Sequence, residues 1–106
     1  MPILDINDIR DVAAPVLKKT PAKKAFVFGS WARGTQTRHS DIDMVILSDE
    51  IPKRFFDRYN DFDELIDVFG NIGLDLLIYS DSEISEMKDR PFIKTILNEG
   101  VVIYER

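Results

Sequence analysis

Residues 28–46 read Phe-Gly-Ser-Trp-Ala-Arg-Gly-Thr-Gln-Thr-Arg-His-Ser-Asp-Ile-Asp-Met-Val-Ile. Asp41 and Asp43 open an apolar run that continues to Leu47. Two residues apart on a strand, their carboxylates point to one face, and Ile42, Met44 and Ile46 point to the other. Gly29 and Ser30 follow a second apolar run, Ala25-Phe26-Val27-Phe28. Glycine lets a backbone approach an anion closely, a helix start offers N–H groups, and the serine hydroxyl adds a donor. A Gly29–Ser30 turn of this kind suits the β and γ phosphates of a nucleotide. A carboxylate pair beside it suits magnesium-dependent chemistry on a triphosphate, since two carboxylates can bridge two ions that clamp an in-line displacement. Taken alone, Asp-Ile-Asp reads as a solvated strand end and Gly-Ser as a strand-to-helix turn capped by Ser30. Together they favour metal and phosphate.

Further groups stand around this core. Asp75 interrupts the apolar run Gly73-Leu74-Asp75-Leu76-Leu77-Ile78. A charge inside such a strand is costly unless it is paired, hydrogen-bonded or metal-bound, although an edge strand can turn it to water. If that strand lies beside the one carrying Asp43, Asp75 reaches the same site. Arg33, one turn beyond Ser30, can contact phosphate oxygens or pair with a motif aspartate, and the sequence does not separate the two. Ser40 can hold the loop before Asp41 by a hydrogen bond. Trp31 reads as core, Gly34 as the end of a short helix, and His39, the only histidine, receives no role.

Several elements must hold these groups in place. Spacing of Ile6, Ile9, Val12, Ala13, Val16 and Leu17 predicts a helix over residues 6 to about 20, capped by Asp5 or Asn7, kinked at Pro15 and ended near Pro21. Strands are expected at 24–29, 41–48, 74–79 and 101–104, with a short helix at 30–33 and a polar loop at 34–40. Asp49 to Lys53, with Pro52, reads as a break. A helix over 54–69 would bury Phe55, Phe56, Tyr59, Phe62, Leu65, Ile66 and Phe69, which pack in the core or at a partner interface, and would keep Asp57, Asp61, Asp63, Glu64 and Asp67 wet. Gly70-Asn71 closes it. Ser82 reads as the cap of a further helix, and Pro91 starts the last one, running to Asn98–Gly100. Strands alternating with helices predict an α/β (α+β) fold, a small mixed sheet of about four strands packed with helices.

Composition narrows the function classes. The 106 residues suit one compact domain, taken as residues 1–106. With no cysteine, disulfides and thiolate metal sites are excluded. The net charge of −5 disfavours direct nucleic-acid binding. The cluster Lys18, Lys19, Lys23 and Lys24 reads as a solvated helix end. Neither a signal peptide nor a membrane span is expected, so the expected location is cytoplasmic.

The string Gly29-Ser30-Trp31-Ala32-Arg33-Gly34 followed by Ser40-Asp41-Ile42-Asp43 resembles the signature of the DNA polymerase beta-like nucleotidyltransferase superfamily, and within it the minimal nucleotidyltransferases (MNT). The ending from Pro91-Phe92-Ile93 to Glu105 is also similar to theirs. The resemblance implies the nucleotidyltransferase fold. It implies Asp41, Asp43 and Asp75 as catalytic metal ligands, with Asp75 also a candidate to take the proton of the attacking hydroxyl, and Gly29, Ser30, Arg33 and Ser40 as nucleotide-binding residues. It implies magnesium, two ions in the usual case, and ATP as substrate. Small members are antitoxins of HEPN–MNT toxin–antitoxin pairs, in which AMP passes to a tyrosine of the HEPN ribonuclease. A chain this short leaves the acceptor to a partner, which makes a HEPN-type toxin the expected one in a hetero-oligomer. The alternatives are a non-catalytic antitoxin that masks a basic ribonuclease, and a homodimeric nucleotidyltransferase acting on a small molecule.

Overall fold

The computed structural model describes residues 2–48 and 55–106. The expected break from Asp49 to Lys53 lies outside the described residues, as do the side chains of Phe55 and Phe56. Helix α1 spans Ile6–Leu17, and the Asp5 side chain accepts from the N–H groups of Asn7 and Asp8. Strand β1 is Ala22–Phe28, α2 is Ser30–Arg33 and β2 is Ile42–Ser48. A 3₁₀ segment, Phe55–Phe62, leads into α3, Asp63–Val68. Then come β3 at Leu74–Tyr79, α4 at Asp81–Met87, α5 at Pro91–Glu99 and β4 at Val101–Glu105. The sheet order is β3-β2-β1-β4. The β2–β3 pair is parallel, and β1 runs antiparallel to both β2 and β4, so the four-stranded sheet is mixed as expected.

Each face of the sheet has its own apolar cover. Ala25, Val27, Ile42, Met44 and Ile46 pack with Ile9, Ala13, Leu17, Leu65 and Phe69 of α1 and the α3 region. Val45 lies on the other face with Ile93 and Ile96 of α5, joined by partly buried Phe28, Leu77 and Tyr79. The period of two in β2 thus puts Ile42, Met44 and Ile46 into the first core and turns Asp43 to the second face. Among the described residues no helix is long and apolar enough to cross a membrane.

Pro15 lies inside α1 and is exposed, so water can take the carbonyl that proline leaves unbonded. Three local expectations are corrected. First, α1 ends at Leu17, and residues 18–20 close it with Lys19 N–H to Val16 and Thr20 N–H to Leu17. Second, the expected helix over 54–69 divides into 3₁₀ and α portions. Third, the cap of α4 is Ser80, not Ser82. The Ser80 hydroxyl accepts from the Glu83 N–H at 3.1 Å while Glu83 accepts from the Ser80 N–H at 3.0 Å, a reciprocal capping box.

Arg58 also donates to Glu83, at 2.8 Å. Burial raises the Glu83 pKa, but the Arg58 and Ser80 hydrogen bonds and the Arg58 charge outweigh it, leaving the carboxyl below its ordinary value. A depressed acid stabilises the fold above its unfolded-state pKa and loses that contribution as pH falls through the folded value. Glu83→Gln should therefore lower the melting temperature at neutral pH. The gap to the native chain should narrow as the pH falls below the ordinary glutamate range and through the depressed folded value, as thermal melts across pH will read.

The lysine cluster is largely matched by acids. Lys19 meets Glu64 at 2.8 Å, Lys23 meets Asp81, and Lys24 meets Glu105 at 3.1 Å. Such exposed pairs add little stability, but they leave a poor platform for a polyanion.

Candidate active site

Strand β1 ends at Phe28, and the chain turns at Gly29 into α2. Gly29 has φ +72 and ψ −151, a region that side chains disfavour. Gly29, not Ser30, is the N-cap, and it has no side chain to bond the first turn. The first N–H groups of α2 are thus left for an outside acceptor. The Ser30 hydroxyl is half-buried and has no hydrogen-bond partner among the described residues.

Antiparallel register sets Phe28 directly opposite Asp43, and parallel register sets Asp43 beside Asp75. Asp43 and Asp75 therefore emerge side by side on the second face. Asp41 lies just before β2 and is exposed, like Asp75; Asp43 is partly buried. Burial first, then the Asp75 charge, a hydrogen bond with Asp75 and the Asp41 charge push the Asp43 carboxyl above its ordinary value, against the pull of Arg33. Three acids thus crowd one sheet end with too little positive charge to balance them.

Two glycines make room for this crowd. A Cβ on Gly29 would stand 2.5 Å from Asp43 Oδ2, and one on Gly73 would overlap the Asp41 carboxylate, 3.1 Å from its Cγ. Gly73 has φ +100, and its carbonyl accepts the Ile42 N–H at 2.9 Å. Sequence reasoning did not single out Gly73 as a site residue. Its only local signal was a glycine at the mouth of the Asp75 strand.

The other motif residues hold the frame. Trp31 is buried and donates its indole N–H to the Ser40 carbonyl at 3.2 Å. The Ser40 hydroxyl accepts from the Thr37 N–H at 2.9 Å, which fastens the loop before Asp41. Arg33 lies 3.9 Å from Glu99 of α5 while still drawing on Asp43. His39 is exposed and accepts from Arg38 at 3.3 Å.

The donor chemistry fits magnesium, which prefers carboxylate oxygens together with phosphate and water. Among the described residues no three such side chains already converge on one point. Asp41 and Asp75 are exposed, and a divalent ion among the three carboxylates would relieve the part of the rise at Asp43 that comes from its two acidic neighbours.

The family described as Polymerase beta, Nucleotidyltransferase matches residues 12–106. A Methanocaldococcus jannaschii protein provisionally named a protein adenylyltransferase is 37% identical over 98 residues, covering 92% of this chain and 97% of that one. Another from the same organism, with the same provisional name, is 30% identical over 83 residues and 76% of this chain; the chain spans about half of that relative, 56%. A crystal structure of a toxin–antitoxin with AMP-PNP shares the fold, with a TM-score of 0.63 over 92% of this chain and 73% of that one at 18% identity.

Proposed function

We propose that this chain, which belongs to the polymerase beta nucleotidyltransferase family, uses ATP to place AMP on a hydroxyl of a partner protein. The partner we favour is a HEPN-type toxin, the acceptor one of its tyrosines, and the outcome neutralisation by an antitoxin. The observation that carries this reading is the register that sets Asp43 beside Asp75 and Phe28, one residue short of the Gly29–Ser30 turn. The adenylyltransferase names of the relatives and the toxin–antitoxin structure support the choice of acceptor.

In this mechanism the Gly29 backbone, the Ser30 hydroxyl and the first N–H groups of α2 hold the β and γ phosphates. Asp41, Asp43 and Asp75 would hold magnesium, which supplies charge neutralisation for the transferring phosphoryl group. Asp75 faces the acceptor side and takes the proton of the attacking hydroxyl. Arg33 offsets charge on the phosphates, and Ser40 steadies the Asp41 loop. The protein mostly positions the reactants.

The test uses α-phosphate-labelled ATP and magnesium with lysate of the source organism, comparing the native chain with the Asp41→Ala/Asp43→Ala double variant. Label on one protein band, absent with the variant, is the expected result. Label on a small molecule or RNA would keep the transferase and discard the protein acceptor. Equal patterns with both chains would overturn the enzymatic reading in favour of masking.

A further inference from the structure

We infer that Phe92 is the platform on which the base of the bound nucleotide stacks, an inference that rests on the nucleotidyl-transfer reading. Phe92 opens α5 and is 49% exposed, although it is a large apolar ring. Its ring stands edge-on to Phe28, with centroids 5.9 Å apart and planes at 81°. Phe28 in turn lies opposite Asp43 and one residue before Gly29. The aromatic pair therefore borders the carboxylates and the phosphate turn at once. Its support is rigid, because Ile93 and Ile96 of the same helix are buried at 2% and 1% exposure and Pro91 fixes the entry. One edge-to-face partner holds the ring while much of its surface stays open to a second ring.

Direction in the sheet selects the occupant. Asp75 is on β3, Asp43 on β2 and Gly29 at the end of β1, in that spatial order. Pyrophosphate leaving at Gly29–Ser30 and a hydroxyl arriving at Asp75 use up this line. The nucleoside on the α-phosphate has to leave it sideways. The face of Ile42 and Met44 is closed by the core under α1. On the second face α5 covers Val45 with Ile93 and Ile96, while the neighbouring Phe92 stays half exposed beside Phe28. A base leaving on that side has the exposed ring of Phe92, held by Phe28, to stack on.

Calorimetry with magnesium and two probes tests this on the full chain: a non-hydrolysable ATP analogue, and inorganic tripolyphosphate, which has no base. Phe92→Ala should weaken the analogue about tenfold or more, the size expected for losing one base-stacking ring. Tripolyphosphate binding should not change, and Phe92→Trp should restore the analogue. Phe92→Leu, which keeps apolar bulk without an aromatic face, should also weaken the analogue and serves if the alanine variant fails to fold. Equal weakening of both probes overturns the platform by making Phe92 structural. Unchanged analogue binding with a raised KM for the acceptor protein overturns it by giving the ring to the acceptor. A native chain that binds neither probe removes the nucleotidyl-transfer reading itself, and the platform with it.

Discussion

Asp43→Asn is expected to lower nucleotidyl transfer by about a thousandfold or more and, in metal-free buffer at neutral pH, to raise the melting temperature. The first effect follows from the proposed role: a preorganised group that manages transition-state charge contributes on this order. The second follows from electrostatics. The Asp43 carboxyl is raised by burial and then by Asp75 and Asp41, so the folded state resists its ionisation. An acid raised on folding adds no penalty at a pH where both states are protonated. It adds its full penalty above the folded pKa. The asparagine variant keeps the shape and omits the penalty, so its stability advantage should grow as pH rises through the carboxylate range. Magnesium should raise the melting temperature of the native chain, because a ligand bound only by the folded state stabilises it, and should do so much less for the variant. Paired activity assays and melts, with and without magnesium, check both halves. A variant that is active and less stable would falsify the assignment of Asp43 to a strained acidic site.

How much of this was legible in the sequence depended on the range of the interaction. The alternation of Ile42, Met44 and Ile46 against Asp43 is local, and it gave β2 and both its faces. Asp5 is a local cap, and α1 starts beside it. The division of the helix after Phe55 escaped because Tyr59, Phe62 and Leu65 are spaced by three, which fits a 3₁₀ turn and one face of an α-helix alike. The cap of α4 was missed although Ser80-x-x-Glu83 is itself a capping-box pattern, because Ser82 offers the same hydroxyl two residues later. Asp75 was found as a charge out of place in an apolar strand. Its parallel register with Asp43 is a tertiary fact that no local pattern encodes. The same holds for Phe28 against Phe92, whose ring contact closes over more than half the chain.

Gly73→Ala carries the second large expectation, and Gly34→Ala separates its two causes. Both glycines have positive φ, +100 and +73. Alanine at either should therefore cost about 1–2 kcal/mol of stability from backbone strain. The surroundings differ. A Cβ at Gly34 meets nothing within 4 Å, whereas one at Gly73 overlaps the Asp41 carboxylate. Gly73 cannot retreat easily, since its N–H bonds Phe69 and its carbonyl bonds Ile42, each at 2.9 Å. Asp41 has to turn away instead. With Asp41 holding magnesium as proposed, turning it away should lower metal affinity or activity about 10- to 100-fold. Gly34→Ala should melt earlier and yet transfer and bind magnesium almost as the native chain does. If the two variants lose activity equally, strain near the loop accounts for both and Gly73 has no special claim on Asp41. If only Gly73→Ala loses magnesium binding at a temperature where both are folded, the missing side chain at residue 73 is part of how the fold aims its first carboxylate.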